Sequence, residues 1–109
     1  MTKTEHNALT EAVFYILLSL YQPMHGYGII QNIAELSNGR VNLGAGTLYG
    51  AINTLVEKGW IVPAQTEEES RKKNYVITEL GKEVVAFEME RLEELLKNGE
   101  KLLNKGDVV

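Results

Sequence analysis

Three consecutive cations, Arg71-Lys72-Lys73, form the strongest local positive charge in the chain, and the chemistry they offer is anion binding, phosphate above all. They follow the acidic run Glu67-Glu68-Glu69, so a solvated tip with balancing charges accounts for them equally well. The segment Gly44-Ala45-Gly46-Thr47 has the glycine content of a phosphate cradle. It lacks both the Gly-Lys-Ser/Thr ending of a nucleotide loop and the strand-glycine spacing of a dinucleotide fingerprint. It reads instead as a helix start that approaches another surface closely. His25 stands before a helix-opening glycine with no nucleophile or acid patterned around it. It reads as an exposed turn residue, or as a neighbour of a bound anion at a helix N-terminus. With no cysteine and only His6 and His25, a conventional zinc site, a thiol nucleophile and a disulfide have no residues to build them. No cofactor, metal site or enzymatic activity is expected.

Composition sets the frame for these groups. The chain has 109 residues, 44% of them hydrophobic and 24% charged, the length of one domain with a core of its own. No run approaches the length of a membrane span, and the N-terminus lacks a secretory apolar region, so a small soluble cytoplasmic domain is expected. The formal net charge is −4, which by itself argues against a nucleic-acid partner. Its distribution weakens that objection. Residues 76–109 hold 5 basic and 8 acidic groups, so residues 1–75 carry only −1.

The elements that position these groups follow from periodicity. After Asn7, a suitable N-cap, Leu9, Ala12, Val13, Ile16, Leu17 and Leu20 recur at helical steps, and the helix ends near Tyr21-Gln22-Pro23. A second helix is expected from about Gly26 to Ser37, with Ile29, Ile30, Ile33, Ala34 and Leu36 as its apolar stripe and Asn38-Gly39 as its stop. Arg40-Val41-Asn42-Leu43 is a short strand or extended linker. A third helix spans about Ala45 to Lys58, with Leu48, Ile52, Leu55 and Val56 inward and Gly59 ending it. Trp60-Ile61-Val62 and Asn74-Tyr75-Val76-Ile77 form a hairpin around the polar tip Gln65 to Lys73, and Trp60 reads as packing at its corner. Thr78 caps a last helix that runs to roughly Lys105. The fold expected is mainly α with a small β-hairpin. It is a winged helix-turn-helix over residues 1–78, with one long C-terminal helix and tail over residues 79–109.

Three patches at matching spacing make this plan specific. They are His25-Gly26-Tyr27, then Gly46-Thr47-Leu48-Tyr49, then Arg71-Lys72-Lys73-Asn74-Tyr75 leading into Ile77-Thr78-Glu79-Leu80-Gly81. Together they resemble the PadR family of bacterial transcriptional regulators over roughly residues 9 to 82. The family usually has proline where this chain has Gly50, which loosens the helix entry. The resemblance implies a sequence-specific DNA-binding regulator, a repressor, on double-stranded operator DNA. The third helix then reads the major groove. Thr47, Tyr49, Gly50, Asn53 and Thr54 lie off its Leu48/Ile52/Leu55 face, and Asn53 is suited to adenine and Thr47 to a thymine methyl or phosphate. The wing cations Arg71, Lys72 and Lys73 grip the backbone, and His25 and Tyr27 lie near a phosphate at the start of the second helix.

The last helix reads as an interaction element. Val85, Met89, Leu92, Leu96, Gly99 and Leu103 step by four and three, widened by Val84, Leu95 and Leu102. The resemblance makes this the homodimerisation helix, with Val85, Met89, Leu92, Leu96 and Leu103 as its contacts. Glu88, Arg91, Glu94, Lys97, Lys101 and Lys105 read as its solvated face. The family also implies a small aromatic, phenolic or lipophilic effector. Its drug-binding branch uses a tryptophan on the last helix, whereas here Leu92 lies about where that residue would be and Phe87 is the helix's only aromatic. Phe14, Phe87, Met89 and Leu92 are the candidate effector contacts. The competing reading is a winged-helix adaptor that binds another protein through its hairpin and last helix without DNA.

Overall fold

The computed structural model describes residues 8–64 and 73–108, with side chains described as far as Asn104. Asn7, the tip with Glu67 to Glu69, Arg71 and Lys72, and His6 lie outside the described residues. Four helices and three short strands follow in order: α1 (Glu11–Ser19), β1 (Met24–His25), α2 (Gly26–Leu36), α3 (Ala45–Lys58), β2 (Ile61–Ala64), β3 (Asn74–Ile77) and α4 (Glu79–Val108). The first helix starts later than expected. Thr10, not Asn7, caps it, its hydroxyl oxygen accepting the N–H of Val13 at 3.1 Å.

One apolar core joins all four helices. Ile16, Leu17 and Leu20 of α1, Ile29 and Ile33 of α2, Leu48, Ile52 and Leu55 of α3, Ile61 of β2 and Val84 of α4 are all essentially without solvent contact. Within each helix these residues recur at steps of three or four, with Ile16 and Leu17 side by side on the same face, so each helix contributes one stripe. Leu36, expected on the α2 stripe, is exposed at that helix's last turn. Polar groups taken inside are paired. The Ser19 hydroxyl donates to the Tyr15 carbonyl at 2.8 Å and accepts from the Asn32 amide at 2.9 Å, tying α1 to α2. Arg40, in the linker after α2, grips the Glu11 carboxylate with both guanidinium arms and holds that carboxyl below its ordinary range. Residues 40–43 form a linker and not a strand.

The sheet has one more strand than the hairpin alone supplies. Its order is β1-β3-β2, all antiparallel, with Met24 opposite Tyr75, His25 opposite Asn74, and Ile61 opposite Ile77. Pro63 is tolerated because β2 is an edge strand. The Ile77 N–H also donates to the Leu20 carbonyl at 2.8 Å, which binds the sheet to the end of α1.

The junction of α3, the hairpin and α4 is built around the Trp60 carbonyl. Gly59 ends α3 in the left-handed region at φ 79°. The Thr78 N–H donates to the Trp60 carbonyl at 3.0 Å, and the Thr78 hydroxyl donates to the Gly59 carbonyl at 2.7 Å. The same hydroxyl accepts the Gly81 N–H at 3.0 Å, so Thr78 caps α4 while it holds the corner. Gly81 lies against the Trp60 carbonyl so closely that a Cβ there would overlap it. Trp60 itself is half-buried, with the Lys58 ammonium 5.2 Å above its ring.

Glu88 corrects the expectation of a fully solvated charged face on α4. It is 2% exposed, and the Arg91 guanidinium covers its carboxylate with bonds of 3.0 and 2.6 Å. Of the first turns of α4, Gly81, Val84, Val85 and Glu88 face the protomer's own interior, so Val85 of the expected dimer seam is part of the core.

Gly81→Ala should lower unfolding stability by about 2 kcal/mol or more, because backbone rather than a movable side chain fills the space. Urea unfolding would measure it. A variant as stable as the parent would show that the corner can open without cost.

Candidate nucleic-acid interface

The outer face of α3 is bare by construction. Leu48, Ile52 and Leu55 turn inward, which leaves Gly46, Thr47, Gly50, Asn53 and Thr54 exposed on the opposite side. Gly44 is the N-cap and has no side chain to cap with, so the first N–H groups of α3 are left for another acceptor. Nothing lies within 4 Å of where a Cβ would stand on Gly44, Gly46 or Gly50. Gly50, in the place where the family usually has proline, therefore leaves the helix start open rather than packed. Thr54 donates its hydroxyl to the Gly50 carbonyl at 3.2 Å, which keeps its methyl and one oxygen face for other contacts. The Asn53 amide has no partner among the described residues, so its donor and acceptor pair is available.

A second group of site residues is gathered by contacts that periodicity does not reveal. The ring and hydroxyl of Tyr49 rest against Gly26, the first residue of α2, and occupy the space a Cβ would take there. Tyr49 is nonetheless 45% exposed, so it both packs and faces outward. His25 caps α2: its Nδ1 accepts the Gly28 N–H at 3.1 Å. With Nδ1 accepting, the ring proton sits on Nε2, which remains as a donor. Tyr27, one residue into α2, is 62% exposed. The unforeseen strand β1 then brings the wing alongside. Because His25 pairs with Asn74, the exposed Lys73 begins one residue beyond the α2 cap. Behind them Tyr75 is buried, and burial, followed by its neighbour Tyr49, raises its phenol.

Thus His25, Tyr27, Tyr49 and Lys73 come together where α2 begins, and Thr47, Asn53 and Thr54 lie along the adjoining α3 face. Arg71 and Lys72 lie outside the described residues. Gly46, in the expected close-approach helix start, and Gly50, expected off the core face, stand four apart on the exposed side of α3. The remaining candidates are elsewhere. Met89, Leu92, Leu96 and Leu103 are exposed on α4, Val85 is in the core, and Phe14 and Phe87 are half-buried. Among the described residues no group of histidine, cysteine and carboxylate side chains could hold a metal ion, and no helix is long and apolar enough to cross a membrane.

The model of the transcriptional regulator PadR-like family matches residues 13–86. The chain belongs to this family. Solved structures agree with the assignment. A PadR family transcriptional regulator from Eggerthella lenta is 25% identical, with a TM-score of 0.70 over 84% of this chain and 80% of that one. A putative transcriptional regulator from Thermoplasma acidophilum is 26% identical, with a TM-score of 0.65 over 86% and 90% of the two chains. A transcriptional regulator from Clostridium thermocellum is 26% identical, with a TM-score of 0.61 over 87% and 90%. No curated protein sequence matches. The residues that carry the PadR resemblance are largely architectural: Gly26 seats Tyr49, Leu48 is core, Tyr75 is buried, and Thr78 with Gly81 forms the α4 corner. Transcriptional regulation, rather than catalysis, is what the family and these structures have in common.

His25→Ala should lower stability by about 1 kcal/mol through loss of the α2 cap, while His25→Asn, which can cap, should retain most of it. Thermal unfolding of both variants distinguishes a cap from a residue that only faces solvent.

Proposed function

We propose that the chain binds duplex operator DNA as a homodimer and represses transcription by occupying it. The observation that carries this reading is the α3 outer face, with N–H groups that no side chain caps, three glycines opening on empty space, and beside them a hydroxyl and the Asn53 amide, which has no partner among the described residues. In a helix-turn-helix that end of the recognition helix meets base edges. Thr47, Asn53 and Thr54 supply the base contacts, and Tyr49 reaches the groove from its seat on Gly26. Arg71, Lys72 and Lys73 hold the phosphate backbone from the wing, with His25 and Tyr27 donating at the start of α2. An acidic chain that works this way has a weak non-specific term and depends on groove contacts repeated over two half-sites about 34 Å apart.

The homodimer reading rests on the far half of α4. Met89, Leu92, Leu95, Leu96, Leu102 and Leu103 are 39–72% exposed along one face of the helix. Such a contiguous apolar line is a partner surface. A small aromatic or lipophilic effector seated against Phe14, Phe87, Met89 and Leu92 would change how the subunits meet and so change half-site spacing.

A mobility shift with DNA from upstream of the chain's own gene, repeated across salt, tests DNA binding. Arg71→Ala, Lys72→Ala and Lys73→Ala combined should weaken binding to all sequences and flatten the salt dependence. Asn53→Ala should relax preference at one base pair by about 1–3 kcal/mol. Absence of any retardation at low salt would falsify the DNA reading. Leu92→Lys with Leu96→Lys should give a folded monomer by light scattering, and a persisting dimer would place the seam elsewhere.

A further inference from the structure

Glycine inside a helix is less stable than alanine, because it adds no side-chain contact and has a freer unfolded backbone. At three other glycines the small size has a visible reason inside the protomer, and Gly44, Gly46 and Gly50 open instead onto the bare outer face of α3. The Tyr49 ring fills the space over Gly26, the Trp60 carbonyl lies against Gly81, and the Met24 side chain is 3.0 Å from where a Gly28 Cβ would be. Gly99 has none of these reasons. Nothing lies within 4 Å of its Cβ position, and its φ is not positive. Helical spacing surrounds it with Leu95 and Leu96 one turn before and Leu102 and Leu103 one turn after. Those leucines are 54%, 62%, 66% and 72% exposed. Four leucines around a position with no side chain have the outline of a hole in knobs-into-holes packing, with its floor lowered to the backbone.

We propose that Gly99 is the floor of a socket that receives one large apolar side chain from a second copy of this chain. This inference rests on the homodimer reading and adds to it the point where the two helices approach most closely. The line of side chains around Gly99 continues the one that packs inside the protomer, where Val84 and Val85 are buried. The occupant of the distal half is therefore an apolar helical surface like the occupant of the proximal half. Charges of both signs flank the line at helical spacing, Glu93 and Glu100 on one edge and Arg91 on the other, so no single-sign field selects a charged partner. A second copy presents the same exposed leucines and methionine, and two-fold symmetry lets each chain provide a knob and a socket at once.

Sedimentation of the full chain over a concentration series tests this. Gly99→Leu fills the socket and should weaken self-association at least about tenfold. Gly99→Ala should weaken it by a smaller factor, although alanine is the better helix former. Circular dichroism should show undiminished helix in both variants, and Lys97→Ala on the far side of the helix should leave association unchanged. A Gly99→Leu dimer as tight as the parent or tighter overturns the socket and leaves the dimer standing. So does a Gly99→Ala chain that gains thermal stability with its association unaltered. A parent chain that stays monomeric at every concentration overturns the dimer reading and the socket with it.

Discussion

The carbonyl of Trp60 is the point on which the arrangement of functional surfaces depends. It receives the Thr78 N–H at 3.0 Å and lies against Gly81, immediately after Gly59 has turned the chain out of α3. Three elements are thereby fixed to one peptide unit: the end of α3, the first strand of the hairpin and the first turn of α4. Thr78 adds a hydroxyl that donates to one side of the corner and caps α4 on the other. A rigid corner has a functional consequence. If α4 joins two subunits, the angle at which it leaves the domain sets how far apart and at what tilt the two α3 helices stand. Compliance at this corner would blur that spacing, and the overlap that a Cβ at Gly81 would create leaves little room for it.

Along α4 the same helical face serves two purposes, and Glu88 with Arg91 marks the change. N-terminal to them Val84 and Val85 complete the protomer's core; beyond them the leucines are exposed. A buried carboxylate at such a boundary stabilises little by itself, because desolvation offsets most of the attraction to its partner. It does constrain packing. The carboxylate must keep the bidentate Arg91 contact, so α4 cannot rotate to bring an alternative leucine row against α1 without uncovering or stranding a charge. The pair thus favours one rotational setting of the helix, and that setting directs Leu92, Leu96 and the bare backbone at Gly99 away from the domain.

Much of this architecture was legible in the residues themselves. The stripes of α2 and α3, the Gly59 stop and the Thr78 start each depend on interactions within a few positions, so spacing and residue type suffice to place them. Contacts between distant segments were not legible. Strand β1 has two residues and exists only because Met24 and His25 meet Tyr75 and Asn74, so no local period announces it. The α1 cap was misplaced because Asn7 and Thr10 are both good caps, and only the Val13 N–H distinguishes them. Glu88 looked solvated because charge on a helix is normally exposed, and its burial depends on the helices packed around it. For the candidate interface, Thr47, Asn53 and Thr54 followed from the direction of the α3 core face. That Lys73 begins beside His25, and that Tyr49 rests on Gly26, required the tertiary structure.

These long-range contacts resolve the tension between an acidic chain and a phosphate-rich partner. A regulator that relied on net charge would need a basic face, and residues 1–75 provide almost no net charge. What the fold concentrates instead is hydrogen-bonding geometry: backbone N–H groups at the start of α3, the Nε2 donor of a histidine whose other nitrogen is committed to a cap, and an amide with no partner among the described residues. Hydrogen bonds fall off within a few tenths of an ångström, whereas charge attraction is effective across a Debye length of about 8–10 Å. Binding built mainly on the former is therefore demanding about position. It gains most from a second half-site held at fixed spacing, because two imperfectly placed interfaces lose most of their contacts. In the proposed dimer, low net charge, a stiff corner at Trp60 and paired α4 helices are then parts of one solution, in which placement does what electrostatic attraction does in more basic proteins.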